Sequence, residues 1–147
     1  MPRKTNNKTT ETYTSLFCSF LSKNKLSRTS ERMVIADTIA LFDKHFTIQD
    51  LHTYLKLHKY NTSLSTLYSN LNLLIKAGLL HKYTFESGTP YYEKCMPNKS
   101  HNHIYNIENH QIIEFQDTRI SQIIKSIERK YHLKVLQHDF ILYADKQ

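Results

Sequence analysis

The sequence predicts an α+β protein in two parts, a helical first part that ends in a β-hairpin and a smaller second part that mixes strands with one helix. Two observations support this prediction. Apolar residues recur at helical spacing in four segments before residue 77, and the last segment is polar on its other side. Two strand-like stretches around a turn follow, and then a second hairpin, a helix and a strand. Helices followed by such a hairpin are typical of a winged helix, so we expect a winged-helix DNA-binding domain at residues 1–96 and a small α/β dimerisation domain at residues 97–147.

The helices of the first part can be placed from their apolar faces and their caps. Residues 1–12 are polar and basic, and we expect them to form a mobile arm before the first helix, whose apolar face holds Tyr13, Leu16, Phe17, Phe20 and Leu21. Thr29 or Ser30 is expected to cap the second helix, which turns Val34, Ile35, Ile39 and Phe42 inward. Thr47 and Asp50 form a capping-box pattern at the start of the third helix. The fourth helix should end at Gly78, and its apolar side holds Leu64, Leu67, Tyr68, Leu71, Leu74 and Ile75.

The strands come after this helix. Residues 79–83 and 90–93 are predicted to pair around a turn at residues 86–89. Residues 100–115 form a second predicted hairpin with its turn within residues 106–109. A helix opening at Asp117 is expected to bury Ile120, Ile123, Ile124 and Ile127, and residues 134–143 to form a last strand. This second part is too small to bury its own apolar surface well, so we expect it to form a homodimer.

The second hairpin contains the side chains with the clearest chemistry. His101 and His103 are two residues apart, so on a strand they project from one face. A two-residue turn at 108–109 places Glu114 opposite His103, and one at 107–108 places it opposite His101. A three-residue turn would move Glu114 to the other face. With either two-residue turn, two imidazoles and a carboxylate form part of a site for a divalent metal.

Charge and cysteine content narrow the function. The formal net charge is +7, and residues 1–96 carry 13 basic against 7 acidic side chains, so the first part is expected to bind a polyanion. Cys18 and Cys95 form no C-x-x-C, which excludes a Cys₄ zinc site and fits a reducing compartment. No apolar run is long enough for a membrane helix, and no secretory signal is recognisable. We therefore expect a cytoplasmic protein with no membrane partner.

The polar side of the fourth helix is the expected DNA-reading surface. Ser65, Thr66 and Ser69 are short polar side chains that a major-groove helix can bring close to the bases. Tyr68 is either a core residue or a ring that packs while its hydroxyl reaches DNA. Phosphate contacts are expected from the flanking cations Lys25, Arg28, Arg32 and Lys82.

Several motifs together resemble the ferric uptake regulator superfamily of bacterial metal-responsive repressors. They are residues 46–51 (F-T-I-Q-D-L), residues 65–72 (S-T-L-Y-S-N-L-N) with 77–79 (A-G-L), residues 91–93 (Y-Y-E), His101-x-His103 and residues 112–115 (I-I-E-F). The resemblance implies a dimer that binds a near-palindromic double-stranded DNA operator. It also implies one regulatory metal site between the two domains, whose matching residues here are His45, Glu93, His101, His103 and Glu114.

The sequence departs from the family pattern at identifiable positions. The cysteines of the family's structural zinc site are replaced by Asn106 and Asn109, so we expect no structural Cys₄ zinc and one divalent metal per subunit, Fe²⁺ with Zn²⁺ or Mn²⁺ as substitutes. A second family metal site is depleted, since its positions read Ser100, Asn102, Ser121 and His138. Ser69 stands where the family has an arginine, which puts the operator preference in question.

The expected function is a metal-dependent transcriptional repressor. A haem- or redox-responsive regulator of the same fold, using histidines or Cys95, is one alternative. A non-haem metal enzyme is another, but five protein ligands leave little room for substrate on the metal. We therefore expect no enzymatic activity.

Overall fold

A computed structural model describes residues 7–85, 88–96, 101–136 and 138–147, with backbone alone at residues 7–11. The contacts within the chain divide it into two units, Met1–Asn98 and Lys99–Gln147. The predicted boundary between residues 96 and 97 adjoins residues 97–100, which lie outside the described residues, so it stays a prediction. The first half of the predicted N-terminal arm also lies outside them.

The first unit has four helices and a two-stranded hairpin. The first helix begins at Asn7, so residues 7–12, which were expected in the arm, continue the helix because nothing in their sequence breaks it. The helices are α1 (Asn7–Lys23), α2 (Ser30–Ala40), α3 (Ile48–Leu57) and α4 (Leu64–Lys76). The hairpin, which we call the wing, consists of β1 (Leu80–Thr84) and β2 (Pro90–Lys94), paired antiparallel.

Side-chain caps fix where these helices start. Thr29 accepts a hydrogen bond from the Arg32 amide at the start of α2, so Thr29 rather than Ser30 is the cap. The capping box predicted at Thr47 and Asp50 is present at the start of α3. Gly78 follows α4 with φ +69°, a conformation that costs glycine little.

The core of the first unit collects the apolar faces of all four helices and the wing. Tyr13 lies within it, and its hydroxyl donates a 2.8 Å hydrogen bond to the carbonyl of Leu79. Burial, the main cause, raises the pKa of Tyr13, so this phenol stays protonated as a donor. The largest fully buried side chains contributed by α1, α2 and α4 are Tyr13, Phe17, Leu21, Ile35, Ile39, Leu67, Leu71 and Leu74.

The second unit is a three-stranded sheet with one helix. Its elements are β3 (Asn102–Asn106), β4 (Ile112–Phe115), α5 (Thr118–Tyr131) and β5 (Ile141–Ala144). The strand order is β4-β3-β5, with β4 antiparallel and β5 parallel to β3. Asp117 caps α5, as predicted.

Two expectations for this unit are wrong in detail. The isoleucines of α5 are not fully buried: Ile120 and Ile124 are half-buried, and Ile123 and Ile127 are 57% and 45% exposed. A unit of this size has too little apolar surface of its own to enclose the helix. The last strand is shorter than predicted, since residues 134–140 precede β5 and Leu136 among them is 89% exposed.

Candidate metal centre and nucleic-acid interface

His45 and Glu93 form the acid–imidazole pair of the first unit. His45 lies in the link between α2 and α3, and the next residue, Phe46, exchanges two backbone hydrogen bonds of 2.9 and 2.8 Å with Tyr92. This bridge brings the link to the wing, where His45 Nε2 lies 3.4 Å from Glu93 Oε2. Glu93 is only 8% exposed. A carboxylate so buried requires polar partners, and His45 is one of them.

Tyr83 contacts both candidate ligands of the first unit, and the sequence analysis did not single it out. Its hydroxyl donates a 3.2 Å hydrogen bond to Glu93 Oε2, and its ring meets the His45 ring edge-on at 5.7 Å. The strand register pairs His81 with Glu93, so Tyr83, two residues along, shares the face of the carboxylate. A hairpin centred on the predicted turn at residues 86–89 would pair Lys82 with Glu93, one residue away from the observed register, so the sequence prediction did not place Tyr83 on this face.

His101, His103 and Glu114 are the candidate ligands of the second unit. The rings of His101 and His103 lie 4.8 Å apart in an edge-to-face arrangement. Glu114 pairs directly with His103 across β3 and β4, which is the first of the two predicted registers. His103 is 2% exposed, and its backbone amide is held by the Phe140 carbonyl at 3.1 Å. The second unit thus brings two imidazoles and a carboxylate to one face of its sheet.

The turn that sets this register is longer than predicted. Residues 107–110 form it, and the Asn106 amide closes it on the Gln111 carbonyl at 2.9 Å. The Asn106 side-chain oxygen accepts hydrogen bonds from the amides of Glu108 and Asn109 at 2.9 and 3.2 Å, which stabilises the wider turn. A four-residue turn keeps the same alternation as a two-residue turn, so Glu114 stays opposite His103.

The donor atoms fit a borderline divalent metal. Imidazole nitrogens and carboxylate oxygens suit Fe²⁺, Mn²⁺, Co²⁺ and Zn²⁺. The positions of the family's structural zinc hold Asn106 and Asn109, whose oxygens accept backbone hydrogen bonds within the turn, including one from the Gln111 amide to Asn109. An asparagine side chain has no thiolate sulfur, the ligand that cysteine provides in a structural zinc site.

The polar side of α4 is exposed as predicted. Ser65 and Ser69 are exposed, and Tyr68 is 44% exposed, so Tyr68 is not a core residue. Thr66 is half-buried, and its hydroxyl lies 2.9 Å from that of Ser63, the residue that caps α4. Leu64 is also exposed at 43%, unlike the other leucines of its predicted apolar face.

The four basic side chains predicted to bind phosphates beside α4 differ in the contacts that they make within the chain. Lys25 and Lys82 are exposed, and Lys25 has φ +56° in the link after α1. Arg28 donates to the Ser22 hydroxyl at 2.7 Å, and Arg32 donates to the hydroxyl and carbonyl of Ser27. Both arginines therefore hold the link between α1 and α2, and would have to exchange these bonds to reach a phosphate.

A winged-helix unit joined to a small α/β unit with histidine and carboxylate ligands is the layout of a metal-responsive transcription regulator. No helix in the described part of the chain is both long and apolar enough to cross a membrane. The model of the ferric uptake regulator family matches residues 23–143. The chain therefore belongs to the ferric uptake regulator family, whose members are DNA-binding, metal-responsive transcription regulators and not enzymes.

Individual relatives agree with this assignment. The ferric uptake regulation protein of Rhizobium leguminosarum bv. viciae is 26% identical over 79% of this chain and 81% of its own length. The ferric uptake regulator from Pseudomonas aeruginosa with manganese superposes with a TM-score of 0.78 at 25% identity, covering 88% of this chain and 97% of that one. The ferric uptake regulator of Vibrio cholerae gives a TM-score of 0.66 at 26% identity, covering 87% and 98%.

Proposed function

We propose that this chain is a metal-dependent repressor in which one divalent ion binds His45, Glu93, His101, His103 and Glu114. The supporting observation is that each unit carries an incomplete ligand set. The first unit pairs His45 with a buried Glu93 at 3.4 Å, and the second gathers His101, His103 and Glu114. Neither set alone supplies the four ligands that zinc takes in a closed site. We therefore infer that a single ion binds residues of both sets.

An ion that takes ligands from both units couples metal concentration to DNA affinity. It stabilises the arrangement of the two units in which all its ligands can reach it, and it shifts the population towards that arrangement. The metal supplies only this stabilisation. The protein's residues hold the ion and bind the DNA, and no reaction is catalysed.

The second unit is the proposed dimerisation surface, and its α5 has no buried residue. A dimer presents two copies of α4 to two half-sites of a near-palindromic operator in the cytoplasm. In each half-site Ser65, Thr66, Tyr68 and Ser69 face the bases, and Lys25, Arg28, Arg32 and Lys82 bind phosphates. One regulatory ion per subunit, with no structural zinc, completes the proposal.

The test combines metal analysis with DNA selection. Purified protein is loaded with Mn²⁺, Fe²⁺, Co²⁺ or Zn²⁺ in turn, and its metal content is measured. Each loaded protein is then used to select the duplexes that it binds from a library of randomised sequence. We expect one ion per subunit and a selected palindrome bound tightly only with metal. Two tightly held ions per subunit, or sequence selection that is the same with and without metal, would contradict the proposal.

The matched variants are His103→Ala and His138→Ala. Both remove a histidine from the second unit, but His138 is exposed and outside the proposed ligand set. We expect His103→Ala to lose the metal-dependent part of DNA binding and His138→Ala to keep it. Metal-stimulated binding by His103→Ala equal to that of the wild type would show that the sensor lies elsewhere.

A further inference from the structure

The exposed face of α4 carries one amide that the proposed DNA contacts do not use. Ser65, Ser69, Asn72 and Lys76 follow one another at intervals of four, three and four residues, and all four are exposed. Such spacing places them in a single stripe along the helix. The opposite side of α4 is buried through Leu67, Leu71 and Leu74, so this stripe is the side that a duplex can meet.

The two asparagines of α4 have different environments. Asn70 is 6% exposed, and its amide nitrogen donates to the Thr66 carbonyl at 2.8 Å. Asn72 is exposed, and no hydrogen bond joins its amide to another residue in the described part of the chain. The donor and the acceptor of Asn72 therefore both remain available to a ligand facing the stripe.

The position of Asn72 suits a major groove. Seven residues of helix separate it from Ser65, a rise of about 10 Å along the axis. The groove is about 12 Å wide and about 8.5 Å deep, so a helix that lies in it can bring both residues near base edges. Lys76, one turn further on and near the C-terminal end of α4, is better placed for the phosphate backbone.

The chemistry of the stripe singles out Asn72. Ser65 and Ser69 each offer one hydroxyl, which can donate or accept and so discriminates weakly between bases. Tyr68 likewise has one hydroxyl. Asn72 holds a donor and an acceptor in one plane, the pattern that matches adenine, where Nδ2 donates to N7 and Oδ1 accepts from the N6 amino group.

We propose that Asn72 reads one adenine in each operator half-site and is the main determinant of base specificity in α4. The inference rests on the proposed function, because it requires α4 to enter the major groove. A base contact by Asn72 would also explain how α4 recognises a DNA sequence although Ser69 stands at the position where the family has an arginine.

The experiment uses the full-length protein loaded with Mn²⁺ and the randomised duplex selection. The wild type should select an adenine at one position in each half-site. Asn72→Ala should lose that preference while the rest of the selected sequence stays, and discrimination against other bases at that position should fall by about 5- to 150-fold. Gln122→Ala, which removes an exposed amide from the second unit, should select the same sequence as the wild type.

A base analogue tests the contact itself. Replacing the selected adenine with 7-deazaadenine removes the N7 acceptor. The wild type should lose affinity for that duplex, whereas Asn72→Ala should bind both duplexes equally. Asn72→Asp keeps the size of the side chain but removes its donor, so it too should be insensitive to the analogue. Thermal melts of the variants serve to establish that each one is folded.

The outcomes separate the two proposals. If the wild type selects no sequence with any metal, the proposed function is wrong. If the wild type selects an adenine but Asn72→Ala retains the preference and the sensitivity to 7-deazaadenine, the proposed function stands and the role of Asn72 is overturned.

Discussion

At the scale of single residues, the Glu93 carboxylate is held in place by two side chains of its own unit. Its Oε2 atom meets both His45 Nε2 at 3.4 Å and the Tyr83 hydroxyl at 3.2 Å. Loss of a group that orients a metal ligand in this way typically lowers metal affinity by about 10- to 100-fold. Tyr83 is 8% exposed, so its hydroxyl has little access to water as an alternative partner. We therefore regard Tyr83 as a positioning residue for the proposed metal site.

Tyr83→Phe should weaken metal binding without unfolding the protein. The ring that packs against His45 is kept, and the hydrogen bond to Glu93 is lost. We expect metal affinity to fall by about 10- to 100-fold, measured by competition with a fluorescent chelator. The control is Tyr91→Phe, which removes a hydroxyl from the half-buried partner of Tyr83 on the other strand of the wing. Equal affinities for the two variants would mean that the Tyr83 hydroxyl does not position Glu93.

The sequence predicted the arrangement of the candidate ligands better in the second unit than in the first. His101, His103 and Glu114 lie within one hairpin, so alternation along strands was enough to place them on one face. His45 and Glu93 are 48 residues apart in the sequence and meet through the bridge between Phe46 and Tyr92. Such a contact leaves no local pattern, and only the resemblance to a family indicated it.

At the scale of elements, the β3–β4 hairpin is closed by hydrogen bonds from the side chains of its own turn. Asn106 accepts two backbone hydrogen bonds within the turn, and the Tyr105 hydroxyl lies 2.6 Å from His110 Nδ1. His110 has φ +58°, which closes the four-residue turn in the left-handed region. The sequence left two registers open, of which the structure has the one with Glu114 opposite His103. It did not give the turn length, because two- and four-residue turns preserve the same alternation.

Asn106→Ala should destabilise the second unit. The substitution leaves the amides of Glu108 and Asn109 without their side-chain acceptor, and each such hydrogen bond contributes about 1 kcal/mol. The expected loss of about 1–2 kcal/mol should lower the melting temperature by several degrees, measured by circular dichroism. Glu108→Gln is the control, since it changes the charge of the same turn but none of these hydrogen bonds. A melting temperature for Asn106→Ala equal to that of the control would show that Asn106 does not hold the turn.

At the scale of the whole molecule, the two units differ in how much apolar surface they bury. The first unit encloses a core built from four helices and the wing. The second unit leaves Ile123, Ile127, Tyr131 and Leu133 largely exposed. Helical periodicity identified the apolar face of α5 correctly, but periodicity does not reveal whether that face meets the same chain or another one. The small size of the unit is more informative on this question, since about 50 residues have too little apolar surface to enclose such a helix, and this favours a second chain as the partner of α5.

Ile127→Glu should break the proposed dimer while leaving the monomer folded. Ile127 is 45% exposed on α5, so a glutamate there is tolerated by the single chain but places a charge at the interface of a dimer. Burying an isoleucine contributes about 1.5–3 kcal/mol, and a twofold interface loses the contribution twice, so dimerisation should weaken by at least about 100-fold. Analytical ultracentrifugation measures this shift directly.

Gln122→Glu adds the same charge to the polar side of α5, about half a turn of the helix away from its isoleucine face, and should stay dimeric. If Ile127→Glu sediments as a dimer, α5 does not form the interface, and the exposed apolar residues Leu142 in β5 and Phe140 just before it become the surface to test.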